Sequence, residues 1–176
     1  DSSIPWDITQ ERPGYFIQAD IAFRDLQADD YAGVFISGGR APEYIRYDQD
    51  LNRVIHEMNA AGKPIASVCH GVEILTSAGI LQDRKVTTVA KCAMDAEQGG
   101  GIYVDQETVV DGNLISARTW HDNAPLMKKF LEMLASADAW TPALALRIKM
   151  LHRCKLRISN FKNIESRKEM TSTCDL

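Results

Sequence analysis

Cysteine is scarce in this chain. Four cysteines, Cys69, Cys92, Cys154 and Cys174, are spread over 176 residues with no CxxC pair and no Cys/His set at zinc spacing. That argues against a disulfide framework and against a structural zinc site, and it predicts reduced thiols. No apolar run approaches the roughly 20 residues needed to cross a bilayer, and no charged-then-apolar secretory leader is present. Positive charge is not in excess either. The formal net charge of −4 provides no global field for nucleic acid or an anionic membrane. No internal repeat or low-complexity linker interrupts the chain. A cytoplasmic protein that binds neither nucleic acid nor membrane is expected.

What remains is ordinary globular material. With 45% hydrophobic and 25% charged residues, the chain can fold as one domain, burying roughly 70% of its unfolded surface. It opens on Asp1 rather than methionine, so a fragment, a processed product or a partly determined sequence is expected. Tyr15 to Phe23 is partly alternating and predicts a strand. Ala32 to Ile36 predicts a buried strand feeding a Ser37-Gly38-Gly39 loop. Apolar residues from Tyr44 to Met58 recur at helical spacing and predict one helix from Glu43, closed by Gly62. Pro64 to Val68 reads as a second buried strand, Val72 to Gly79 as a helix, and Lys85 to Val89 as a further strand. A short helix over Cys92 to Glu97 leads into a turn of three glycines. Asp111-Gly112-Asn113 between two β-like runs predicts a hairpin, and Pro125 to Ala135 an amphipathic helix. Strand and helix alternate, so an α/β fold with a mainly parallel sheet is expected, over residues 1–135. From Ser136 onward the chain turns basic, and 136–176 is expected to be an extension that is helical at first and then polar.

The sharpest local pattern is Ser67-Val68-Cys69-His70-Gly71. A nucleophile elbow requires a strand, a strained turn carrying the nucleophile and a helix, with small residues two before and two after the apex. Ser67 and Gly71 satisfy that demand. A thiol at the apex faces free N–H groups at the start of a helix, and an adjacent imidazole adds to the stabilisation of its anion. The competing reading of Cys69 is a buried core cysteine. Gly38 and Gly39 follow the preceding strand, so their loop shares a crevice with the elbow. There they can present amides to an oxyanion together with the N–H of His70. The competing reading is an ordinary glycine turn opening a helix, with Glu43 balancing the helix dipole.

Five segments, GGRAPEYIR, GKPIASVCHG, AGILQDRKVT, GGGIYVD and VVDGNLISAR, closely resemble consecutive segments of the PfpI family, in order and at similar spacing. The resemblance runs from Tyr15 to Ala135. It implies a flavodoxin-like three-layer sandwich of the class I glutamine amidotransferase type. By the same resemblance Cys69 is the nucleophile and His70 its histidine, while Glu43 is a glutamate that reaches a neighbouring subunit's Cys–His pair. Gly38 and Gly39 form the oxyanion loop, Gly71 belongs to the elbow, and Trp120 is an aromatic beside the site. A homo-oligomer, dimer or higher, is implied, with no metal or organic cofactor required.

The implied activity is cysteine-dependent hydrolase or lyase chemistry on small reactive carbonyls or glycated adducts. The alternatives are an endopeptidase whose Cys–His–Glu triad is shared between subunits and a non-enzymatic redox-sensing or chaperone-like stress protein. The chain departs from the family at its start. No βα unit is legible before Tyr15, so the sheet is expected to lack the family's central first strand, and the thiol that unit's glutamate.

Overall fold

The computed structural model describes residues 18–138. The chain divides into two units, Asp1–Ala135 and Ser136–Leu176, and the elements below belong to the first, with its last helix running on to Asp138. The sheet begins with β1 (Val34–Ile36) and β2 (Ile65–Val68), and ends with the hairpin β5 (Thr108–Asp111) and β6 (Leu114–Ala117). The strand order is β1-β2-β6-β5. β1, β2 and β6 are parallel and β5 is antiparallel to β6. A separate pair of parallel strands, β3 (Lys85–Val86) and β4 (Ile102–Tyr103), lies alongside.

Alternation along the strands sends side chains into two cores. On one face Ile65 of β2 and Leu114 of β6 join Leu51, Val54, Ile55 and Met58 of α2 (Gln49–Ala60) and Leu75 of α3 (Val72–Ser77). On the other, Ala66, Val68, Ile115 and Ala117 meet Leu126 and Phe130 of α5 (Asn123–Asp138). Helices therefore cover both faces, which is the expected three-layer α/β sandwich with a mainly parallel sheet. The remaining helices are α1 (Ala41–Ile45) and α4 (Ala93–Gln98).

The hairpin forms where Asp-Gly-Asn predicted it. Asp111 pairs with Leu114, which leaves a two-residue loop whose first position, Gly112, has φ +58°, a conformation glycine adopts without steric cost. Arg84 fastens this loop to the end of α2. Its guanidinium donates to Asn59 Oδ1 at 2.9 Å, to Asn113 Oδ1 at 3.0 Å and to the Asp111 carbonyl.

Four expectations need correction. No strand forms in the described part of the Tyr15–Phe23 segment. Residues 18–22 carry no regular structure, and Phe23–Asp25 is a 3₁₀ turn whose Phe23 leans on the core. β1 is not a buried strand. It lies at the edge of the described sheet, and Phe35 is exposed. The single helix from Glu43 is two, because Asp48 takes an extended backbone and its Oδ1 accepts from Leu51 N at 2.9 Å, capping a fresh helix. Finally, the run Lys85–Val89 yields only two strand residues, in the second sheet. The basic extension from Ser136 lies outside the described residues beyond Asp138.

Candidate active site

β2 is buried along its whole length and ends at Val68 in extended conformation. Cys69 then takes φ +58°, a left-handed backbone that costs a residue with a Cβ roughly 1–2 kcal/mol. A 3₁₀ turn, Cys69–Gly71, feeds directly into α3. This is the strand–strained turn–helix sequence of the predicted elbow.

The glycines around it are required by contact. A Cβ on Gly38 would lie 2.6 Å from Cys69 Cβ and 3.0 Å from the Val68 carbonyl oxygen. One on Gly71 would lie 2.7 Å from Ser67 Oγ and 2.9 Å from the Ile36 carbonyl oxygen. Gly39 has φ +79° and turns the loop away from β1. Thr88, which the sequence reading did not single out, holds the elbow from another side. Its buried hydroxyl donates to the Cys69 carbonyl at 2.6 Å.

Cys69 is half-buried. Its Sγ lies 3.2 Å from His70 Nδ1. The other ring nitrogen, Nε2, lies 3.9 Å from Glu43 Oε1, an ion-pair distance rather than a hydrogen bond. Glu43 Oε2 in turn accepts from Arg40 Nε at 3.3 Å and Nη2 at 3.2 Å. Arg40, Glu43, His70 and Cys69 thus form a line within one chain. Glu43 faces the histidine of its own chain. A proton on Nε2 would point towards Glu43 and leave Nδ1 free to accept the thiol proton.

Trp120 is on the surface, 70% exposed, with its ring 5.0 Å from that of His121. An apolar cavity of about 330 Å³ runs between β1, α1 and α2, bounded in part by Ser37 of the Gly38 loop and Pro42 of α1, and Cys69 is not among its lining residues.

Behind His70 is a second polar group that sequence reasoning missed. Glu73, one turn along at i+3 and only 5% exposed, faces Arg46 Nη1 at 3.4 Å, and Arg46 also bridges Asp95 at 3.1 Å. Burial raises the Glu73 pKa, with Arg46 opposing the shift. Cys92 Sγ lies 3.8 Å from Glu73 Oε1. Burial first, then the nearby carboxylates Glu73 and Asp95, push its thiol up to about 12. The one signal in the sequence was the three-residue spacing of His70 and Glu73; nothing local connects either to Cys92.

Fold and site together define an α/β sandwich protein with a cysteine presented on a strand–helix elbow beside an imidazole. The chain belongs to the DJ-1/PfpI family, whose model matches residues 7–133. That match reaches back ahead of Tyr15, where the segment resemblance began. A deglycase of Thermococcus kodakarensis is 38% identical over 121 residues, covering 69% of this chain and 73% of the relative. Deglycase PfpI of Pyrococcus furiosus is 36% identical over the same length and shares. Among solved structures, a two-domain protein with DJ-1/ThiJ/PfpI-like and ferritin-like domains from Anabaena variabilis matches with a TM-score of 0.63 at 32% identity. That match covers 64% of this chain and 34% of that longer one. Among the described residues no helix is long and apolar enough to cross a membrane.

Proposed function

We propose that this chain is a cysteine-dependent enzyme of the deglycase type, acting on small reactive carbonyls or the adducts they leave on amines. The carrying observation is Cys69 Sγ at 3.2 Å from His70 Nδ1, on a residue strained to φ +58°. The deglycase names of the relatives support the same substrate class.

In this reading His70 Nδ1 takes the thiol proton and the thiolate attacks the carbonyl carbon. The C–S bond forms as the C=O π bond opens, and the resulting alkoxide receives the proton back from the imidazolium, giving a hemithioacetal. Glu43 stabilises the imidazolium, and the 3.9 Å gap closes when charge develops. Amides of Gly38, Gly39 and His70 receive the developing oxyanion. A homo-oligomer in the cytoplasm belongs to this reading, and light scattering on the purified chain tests its size.

The test is methylglyoxal consumption and release of free amine from a methylglyoxal-modified amine, by wild type and by Cys69→Ser. Turnover is expected in the first and absent in the second. Full turnover by Cys69→Ser would overturn the assignment. The Cys–His–Glu line also favours a peptidase as the second reading. Cleavage of a fluorogenic peptide that is lost in Glu43→Gln, with methylglyoxal untouched, would select it.

A further inference from the structure

We propose that His70, Glu73 and Cys92 form a binding site for a zinc ion, which shares His70 with the chemistry above and competes with it. One donor atom from each of the three residues lies within 4.8 Å of the others; Glu73 and Cys92 are buried, and the His70 side chain is 12% exposed. Zinc binds imidazole, carboxylate and thiolate at about 2.0–2.3 Å in a tetrahedron, which sets neighbouring donors about 3.3–3.6 Å apart. Cys92 Sγ and Glu73 Oε1 already stand at 3.8 Å, so rotamer adjustments of about an ångström complete the geometry.

A second observation points to the same place. Glu73 Oε2 is buried and accepts no hydrogen bond, although Arg46 Nη1 faces it at 3.4 Å. A buried carboxylate oxygen without a donor is costly, and a cation beside it removes that cost. Arg46 is itself shared with Asp95 at 3.1 Å and donates to Ser77 Oγ at 3.2 Å, so its charge is not spent on Glu73 alone. Imidazole, thiolate and carboxylate is a donor set that suits zinc better than magnesium or calcium. Three protein ligands leave a fourth position for water.

Binding has a definite proton balance. The Cys92 S–H bond breaks, the sulfur–metal bond forms, and the proton leaves to solvent. It also has a consequence. A metal that occupies a ring nitrogen of His70 takes the lone pair, or the ring orientation, that Cys69 needs, so filling the site should inhibit reversibly. That consequence rests on the proposed role of Cys69 and His70; occupancy of the site does not.

The test uses cobalt(II) as a spectroscopic stand-in for zinc, on the full chain carrying Cys154→Ser and Cys174→Ser. A thiolate-to-cobalt charge-transfer band is expected at one metal per chain. It should persist in Cys69→Ser and disappear in Cys92→Ser. Loss of an outer-shell partner alone costs about 10–100-fold in affinity, so Glu73→Gln should weaken binding by at least about tenfold. The glutamate variant stands in if Cys92→Ser fails to fold. A band that vanishes in Cys69→Ser and survives in Cys92→Ser would put the metal on the nucleophile and overturn the proposal. No band at saturating cobalt would overturn it as well. Failure of methylglyoxal turnover leaves this result untouched, so the two readings fall separately.

Discussion

The strain at Cys69 can be measured without any substrate. At φ +58° a Cβ costs about 1–2 kcal/mol, and Cys69→Ala keeps that Cβ while Cys69→Gly removes it. Glycine carries the opposite penalty of about 0.4–1 kcal/mol, because its unfolded chain is freer. The difference favours Cys69→Gly over Cys69→Ala by roughly 0.5–1 kcal/mol. At an ordinary helix or strand position the order is reversed, with glycine worse than alanine by about the same amount. The sign is therefore diagnostic.

Urea unfolding of the two variants reads it directly. With a slope of about 1–3 kcal/mol/M, the midpoint of Cys69→Gly should lie a few tenths molar above that of Cys69→Ala, at equal slopes. Gly38 provides a coupled check. Gly38→Ala places a Cβ 2.6 Å from Cys69 Cβ, an overlap expected to cost about 1–3 kcal/mol. That cost should shrink in the Cys69→Gly background and should not vanish there, because the Val68 carbonyl at 3.0 Å remains. A Cys69→Ala protein as stable as Cys69→Gly, or more so, would refute the strained elbow.

Three further outcomes follow from the same contacts. The Cys92 thiol is raised from 9.0 to about 12, so the folded chain holds this proton after the unfolded chain has lost it. The associated stability is complete below about pH 9 and drains away as pH climbs towards 12, by at most about 4 kcal/mol. Cys92→Ser should flatten the alkaline limb of a stability–pH curve, and an identical limb would count against the burial argument. Thr88→Val removes the donor to the Cys69 carbonyl. It should cost about 1–2 kcal/mol in urea unfolding and slow iodoacetamide labelling of Cys69; unaltered labelling would mean that the hydroxyl does not position the elbow. Arg84→Ala strips the hairpin of its tie to α2 and should lower stability by about 2–3 kcal/mol, read as a fall in Tm. An unchanged Tm would show that the tie contributes nothing.

The legible parts of the molecule were those ruled by local backbone demands. Cys69 at the elbow, Gly112 in the hairpin and Gly62 after α2 each stand where the chain must bend, and each has positive φ. The parts that escaped were set by what arrives from elsewhere in the chain. Helical spacing from Tyr44 to Met58 is blind to a cap, so Asp48 splitting the run was invisible until its side chain met Leu51 N. β1 has the composition of a buried strand, yet composition does not say how many neighbours a strand acquires. In the site, Cys69, His70 and the Gly38 loop were legible because one motif and the next strand end carry them. Thr88 comes 19 residues after the cysteine it holds, and Cys92 comes 19 after Glu73. Neither partnership has a sequence signal.

Sheet register explains why the site assembles where it does. Ile36 of β1 pairs with Ser67 of β2, so two residues further along each parallel strand Gly38 comes level with Cys69. The close approach of their backbones follows from that pairing, and the glycine follows from the approach. On the other side Val68 pairs with Ala117 of β6, which brings Arg118 level with Cys69. There it is held by Asp105 and Asp122, each at 3.1 Å. A slip of one residue between β1 and β2 would turn the buried face of β1 outward and set Ser37 or Gly39 against the thiol. The buried run Ile65–Val68, covered on both faces, opposes that slip. The same apolar packing that stabilises the sheet therefore fixes which loop residue meets Cys69, and the position of that thiol is a property of the core as much as of the elbow.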